Sequence, residues 1–453
     1  MDVRRSGQGG INMKEKSCLK EFFHYTSLNV LGMIGLSCYI LADTFFVSKA
    51  LGADGLTALN LAIPIYSFIH GSGLMIGMGG GIKYSIVKSQ NDKDRANWIF
   101  TNAAAATAAI AGLFFLLGVF GTGYIARLLG ADEAVFSMSK TYLQVILLFA
   151  PMFMTNNLLL CFIRNDGAPQ LAMRAMICGS LSNVVLDYLF MFPLGMGIFG
   201  AAFATGLAPV VSILLLLPFI LKKKNQFHLC RCRISEKAIL GIFSSGLPSL
   251  ITEVSSGIVM IVFNVILLGI AGNTGVAAYS IIANLSLVAM SVYTGIAQGI
   301  QPLLSSNYGK GNRKTVEAVF RYALIAVLAV SVTIYLCILL GSEPIVDVFN
   351  SERNQSLQSI AQTGIKIYFT ACIFAGFNIV ASVYFTATEY VLPAHVISVL
   401  RGFVLIIPMA FTLSQAAGVL GVWSAFPATE LIVSLLGVFL LLKRTGSDKK
   451  AAD

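Results

Sequence analysis

Leu51-Gly52-Ala53-Asp54-Gly55-Leu56-Thr57-Ala58 returns about 220 residues later as Ala271-Gly272-Asn273-Thr274-Gly275-Val276-Ala277-Ala278. Two more segments repeat at a similar interval. Gly197-Ile198-Phe199-Gly200-Ala201-Ala202 returns as Gly418-Val419-Leu420-Gly421-Val422-Trp423. Gly81-Ile82 before a polar run matches Gly299-Ile300 before Asn307-Tyr308-Gly309-Lys310. An oily chain made of two like halves points to a transporter, in which two similar helical bundles rock about a site held between them.

The composition fixes the solvent. Hydrophobic residues make up 57% of the 453 and charged residues 11%, and mean hydropathy is +0.81. Soluble domains carry roughly 25% charged residues. Twelve stretches are long enough to cross a ~30 Å hydrocarbon core. They lie near 22–47, 56–82, 98–120, 142–163, 171–192, 196–221, 239–270, 276–304, 316–340, 365–386, 396–413 and 419–442. Their length, with Gly and Pro spread through them, predicts helices rather than barrel strands of period two. The expected fold is therefore an all-α membrane protein with twelve transmembrane helices in two pseudo-symmetric six-helix bundles.

The charged run 222–237 divides spans one to six from spans seven to twelve. The expected organisation is a cytoplasmic tail (1–21), a first lobe (22–221), a cytoplasmic linker (222–237), a second lobe (238–443) and a cytoplasmic tail (444–453). The first 21 residues hold Arg4, Arg5, Lys14, Lys16 and Lys20 and no apolar run, which argues against a signal peptide; Met13 offers an alternative start. Residues 341–364, with Glu343, Asp347 and Glu352, are expected as a solvated outer loop.

The net charge of +10 is topological rather than a nucleic-acid footprint. Lys83, Lys88, Lys93 and Arg95 follow span two, Lys222 to Lys237 follow span six, and Lys310, Arg313, Lys314 and Arg321 follow span eight. Lys443, Arg444, Lys449 and Lys450 end the chain, while the other side carries only Lys49, Arg127, Lys140, Arg353 and Lys366. This positive-inside bias, with an even number of spans, places both termini in the cytoplasm. Of the eight cysteines, most lie in apolar spans as small hydrophobes. His228, Cys230 and Cys232 lack the second cluster that a zinc site needs.

Acids inside the membrane are the strongest functional lead, since each costs on the order of 2.5–3.5 kcal/mol at a helix centre on insertion scales. Asp43 stands about five residues before the outer end of span one, Asp187 about five before Phe192, and Thr205 about nine into span six. At ~1.5 Å per residue all three come to roughly 8–14 Å below the outer surface. Asn183 shares the face of Asp187 one turn deeper. These four can converge on one cation or proton site, oxygen ligands suiting a hard ion such as Na⁺ and a carboxyl suiting proton exchange. The plainer alternative leaves Asp187 near the interface and Asp43 at a helix end.

Glu253 falls near the middle of span seven, beyond Pro248. With Asn264, Asn284 and Gln298 it is the candidate lining of a central substrate cavity, the alternative being a neutral, hydrogen-bonded carboxyl inside the bundle. Arg401 and Glu430, on spans eleven and twelve, most simply form a structural ion pair. Pro64, Pro151, Pro209, Pro248, Pro302, Pro408 and Pro427 each remove a backbone donor, as tolerated kinks or as bends that shape a cavity.

Several segments together resemble the multidrug and toxic compound extrusion (MATE) family, most of all its bacterial multidrug export branch. They are Ala42-Asp43-Thr44-Phe45-Phe46-Val47, Asn183-Val184-Val185-Leu186-Asp187, Gly200-Ala201-Ala202-Phe203-Ala204-Thr205, Gly246-Leu247-Pro248, and Gly299-Ile300-Gln301-Pro302 through Asn307-Tyr308-Gly309. The resemblance runs in order from about residue 20 to 443. It implies two lobes about a V-shaped cavity in a bacterial plasma membrane, and export of cationic or amphipathic drugs driven by inward H⁺ or Na⁺. No cofactor, no nucleic-acid partner, no enzymatic activity and a monomer are expected as well. It further implies that Asp43, Asn183, Asp187 and Thr205 match the family's first-lobe cation site, and that Glu253 matches a second-lobe carboxylate of some members. Those members pair it with an acid on the tenth helix, whereas span ten here, Ile365 to Thr386, holds no Asp or Glu. The rival readings are a flippase for a lipid-linked precursor, which would favour a cationic cavity, and a membrane-embedded enzyme, for which no catalytic motif is present.

Overall fold

The structure is a computed structural model that describes the backbone of residues 3–350 and 354–450 and the side chains of 17–350 and 354–444. The expectations for Glu352 and Arg353, and for the side chains of both tails, lie outside the described residues. In chain order the helices are α1 (Val3–Ser89), α2 (Lys93–Phe120), α3 (Thr122–Leu128), α4 (Phe136–Leu148), α5 (Ala150–Asn165), α6 (Pro169–Met191) and α7 (Gly197–Leu221). They continue as α8 (Glu236–Gly309), α9 (Arg313–Phe349), α10 (Gln355–Tyr368), α11 (Cys372–Ala387), α12 (Val391–Val399) and α13 (Ile406–Lys450).

Three of these helices are hairpins. α1 breaks at Gly52 (φ 64°, ψ −149°) and α8 at Gly272 (φ 61°, ψ −154°), the two glycines of the repeated segment in almost the same backbone conformation. Left-handed φ of this kind is where glycine is at home. Tyr39 and Tyr66, on either side of Gly52, meet hydroxyl to hydroxyl at 3.0 Å, and Phe263 stacks on Tyr279 across Gly272, so each pair of legs runs antiparallel. α13 breaks likewise at Gly418 (φ 58°), the repeat partner of Gly197 (φ 57°), which opens α7. Asp92 caps α2 and Asn312 caps α9 through the same side-chain acceptance from the third residue on. α4 and α5 form one span bent by 45° at Phe149, with Pro151 at the start of α5. α10 joins α11 through one 3₁₀ turn, and α12 joins α13 through a π-helical stretch, Leu400–Val404. Counting each hairpin leg once and joined pieces together, the described residues make twelve helical segments of crossing length and no strand. The hairpin turns inside α1, α8 and α13 fall at repeated glycines; Pro64, Pro209, Pro248, Pro302 and Pro427 lie within helices that run on.

One expectation needs correction. Residues 341–364 are not a loop: α9 runs on to Phe349, and only 350–354 separate it from α10. Gln358 of α10 donates to Asp347 of α9 at 2.5 Å and Asn350 binds Gln358 at 3.0 Å, so the polar residues lace two helix ends together. The linker segment 222–235, between α7 and α8, is held against the first half. Its Phe227 is buried in a ring cluster with Tyr84, Phe100 and Phe162. Its backbone N–H groups at His228, Cys230 and Ser235 donate to Asn97, Thr101 and Asn102 of α2.

The halves cross over at the end that carries the basic residues. The first leg of α1 starts in the second-half core, with Phe22 buried there and Cys18, Tyr25 and Val30 packed against it, and ends in the first-half core with Val47. The first leg of α8 does the reverse, from Ile242 in the first-half core to Phe263, Ile266 and Leu267 in the second. Glycines make the crossing close: a Cβ on Gly246 would overlap the carbonyl of Met75, and one on Gly299 would come 2.8 Å from the Thr26 backbone. Among the described residues, the polar contacts that join the halves lie from His70–Glu253 toward this basic end. They include Lys83–Glu389 (2.8 Å), Ser85 to the Pro302 carbonyl (3.5 Å) and Asn165–Gln301 (2.9 and 3.0 Å).

Candidate cation site and central cavities

The first leg of α1, α6 and α7 bring Asp43, Asn183, Asp187 and Thr205 together. Asp43 is 7% exposed, Thr205 4%, and Asn183 and Asp187 not at all. The i, i+4 spacing puts Asn183 directly over Asp187. With its amide oriented to suit its neighbours, Asn183 donates from Nδ2 to Asp187 Oδ2 at 3.0 Å and accepts from the Thr205 backbone N–H at 3.2 Å. One oxygen of each acid, Asp43 Oδ1 and Asp187 Oδ1, is buried with no hydrogen-bond donor. The two carboxyls lie within electrostatic range of each other, and Tyr142 of α4 faces both beside Thr205. A buried acceptor without a donor costs free energy, and a bound proton or hard cation removes that cost.

A polar chain leads away from this pocket. Tyr39, one turn before Asp43, shares a hydrogen bond with Tyr66 (3.0 Å); Tyr66 stacks on His70 (5.7 Å, 13°), and His70 Nδ1 lies 3.5 Å from Glu253 Oε2. His70 and Glu253 sit on opposite halves. Two cavities flank this pair. The first, largely in the first half, is lined by Tyr39, Tyr66, His70, Asn156, Asn157 and Arg164 among others. The second, about 670 Å³ at the seam, is lined by Glu253, Thr252, Ser245, Thr386 and Arg401. Gln298 and Leu74 border both.

Glu253 and Gln298 thus reach the cavities, and Asn264 and Asn284 line neither. Helix geometry gives the reason: Asn264 is three turns beyond Glu253, ~16 Å along the leg, and Asn284 is ~21 Å before Gln298. Arg401 does pair with Glu430, Nε at 3.1 Å and Nη2 at 2.8 Å from Oε1, and Asn378 donates to Oε2 at 2.7 Å. No group of three or more His, Cys, Asp or Glu side chains able to hold a metal occurs among the described residues, His228, Cys230 and Cys232 included. His70 and Arg164 were not expected. His70 is a lone histidine in span two, and Arg164 falls one residue past the expected end of span four, yet it is 2% exposed.

The model of the MatE family matches residues 30–189 and 248–412, most of both halves, with Asp43, Asn183, Asp187 and Glu253 inside the match and Thr205 outside it. The chain belongs to the MatE family. It is a multi-pass membrane protein of a transporter family. Among MatE relatives, the multidrug export protein MepA of Staphylococcus saprophyticus subsp. saprophyticus is 25% identical over 96% of this chain and 97% of its own length. MepA of Staphylococcus aureus strain MRSA252 is 23% identical over 96% of each chain. A solved structure described as the outward-facing conformation of a multidrug resistance MATE family transporter superposes with a TM-score of 0.89 at 22% identity. It covers 95% of this chain and 96% of that one. At that identity the likeness speaks for the MatE fold alone.

Proposed function

We propose that this MatE protein exports cationic or amphipathic organic compounds across a bacterial plasma membrane in exchange for inward H⁺ or Na⁺. The basic end and both termini then face the cytoplasm, and the protein works as a monomer embedded in lipid. The observation that carries the reading is the pair of buried carboxylate oxygens, on Asp43 and Asp187, left without donors beside Asn183 and Thr205. A cation arriving from outside neutralises the pair and alters the packing of the first leg of α1. That leg begins in the opposite half's core, so the change bears on the seam between halves. The named relatives that export drugs support the substrate class. One charge moving down ~150 mV releases roughly 3–4 kcal/mol, enough for a gradient of a few hundredfold on a neutral substrate.

The test is dye uptake into proteoliposomes under an imposed pH gradient or sodium gradient, each alone. One of the two is expected to drive uptake, and Asp43→Asn to lose at least nine-tenths of the driven component. Equal uptake by the variant and the unaltered protein would remove the site from the mechanism.

A further inference from the structure

We infer that Arg164, at the floor of the first-half cavity, binds the carboxylate of an amphipathic aromatic substrate. The inference rests on the export reading and narrows its substrate class. Arg164 is 2% exposed, and among the described residues it faces no carboxylate within ion-pair distance. Its Nη1 donates to Asn29 Oδ1 (2.5 Å) and Gln298 Oε1 (2.7 Å), both neutral amides. Nη2 meets only sulfur, Cys161 Sγ at 3.4 Å and Met78 Sδ at 3.7 Å, and Nε has no partner. Sulfur is a weak acceptor. The Nε–Nη2 edge is the fork that grips a carboxylate, and in Arg401 the same edge holds Glu430. A buried guanidinium with that edge unfilled is costly, and an incoming anion offsets the cost. The neighbouring acid does not serve: Asp166 already accepts from Tyr84 (2.7 Å), Lys88 (2.6 Å) and the Gln226 N–H (2.9 Å).

The rest of the cavity fits such a ligand. Its lining includes no Asp or Glu; His70 is its other basic side chain, and Tyr66 and Phe153 supply aromatic walls. Because Gln298 borders both cavities, a zwitterion with its carboxylate on Arg164 directs its cationic end toward Glu253.

The test uses the full chain in detergent and a matched dye pair, rhodamine B with its free carboxylate and rhodamine B ethyl ester, measured by equilibrium fluorescence polarisation. The acid is expected to bind about tenfold or more tightly than the ester, as a charge-assisted fork requires. Arg164→Gln is expected to abolish that preference, and Arg164→Lys, which keeps charge without the fork, to retain only part of it. Equal affinity of the unaltered protein for acid and ester overturns the proposal, even if neither variant folds, and leaves the export reading standing. A preference that survives in Arg164→Gln also overturns it, as does a variant that weakens both dyes alike. Binding of neither dye overturns it and counts against export of such compounds as well.

Discussion

Each buried charge in this protein has a different degree of pairing, and that ordering predicts what its removal does. Glu430 is fully engaged by Arg401 and Asn378. Arg401→Met therefore strands a buried carboxylate and is expected to cost about 3–5 kcal/mol, read as a lowered melting temperature in detergent. Arg401→Met combined with Glu430→Leu is expected to recover most of that loss, because replacing both partners leaves no orphan. A double variant as unstable as the single one would mean that Arg401 acts through packing. Asp43, Asp187 and Arg164 are only partly satisfied, the pattern of groups kept for a ligand rather than for stability. The acids were legible in the sequence because a carboxyl in an oily run is rare. His70 was not, since its role depends on meeting Glu253 across the seam. Arg164 was hidden because a basic residue at the end of an apolar span ordinarily marks the interface.

At the scale of elements, the repeated Gly52 and Gly272 turns show why the internal repeat was a sound guide. With ψ near −150° as well as positive φ, Gly52 and Gly272 occupy a region open essentially to glycine alone, so the pattern survives where apolar residues drift. Hydropathy located the spans but missed the continuation of α9, because Glu343 and Asp347 interrupt the oily run while Val346 stays buried. The packing of the linker could not be read from its basic residues: one aromatic, Phe227, and three α2 polar side chains pin it down. Phe227→Ala is expected to cost about 3–5 kcal/mol locally and to speed tryptic cleavage at Arg231 and Arg233 at least tenfold. Unchanged cleavage would show that the backbone hydrogen bonds alone hold the segment.

Over the whole molecule, the close crossing at the basic end defines the arrangement that must open if the halves rock. Lys83 and Glu389 pair across the halves at 2.8 Å, so Lys83→Cys with Glu389→Cys should be bridged by a bifunctional methanethiosulfonate once the native cysteines are replaced. The cross-link is expected to stop dye uptake into proteoliposomes, with recovery on reduction; uptake that continues while cross-linked would mean that the halves need not part there. The two-lobed plan was readable from the twelve apolar runs and the repeat. The exchange of first legs was not, because Phe22 and Ile242 look like any other membrane residues until their neighbours are known. That exchange has a consequence for biogenesis. While the ribosome has made only the first 235 residues, Phe22 has no core to enter, and the nascent first bundle lacks the Ile242 side of its own. The early intermediate is thus an unfinished body with a sticky patch on its basic side, which the insertion machinery must shield until the second hairpin emerges.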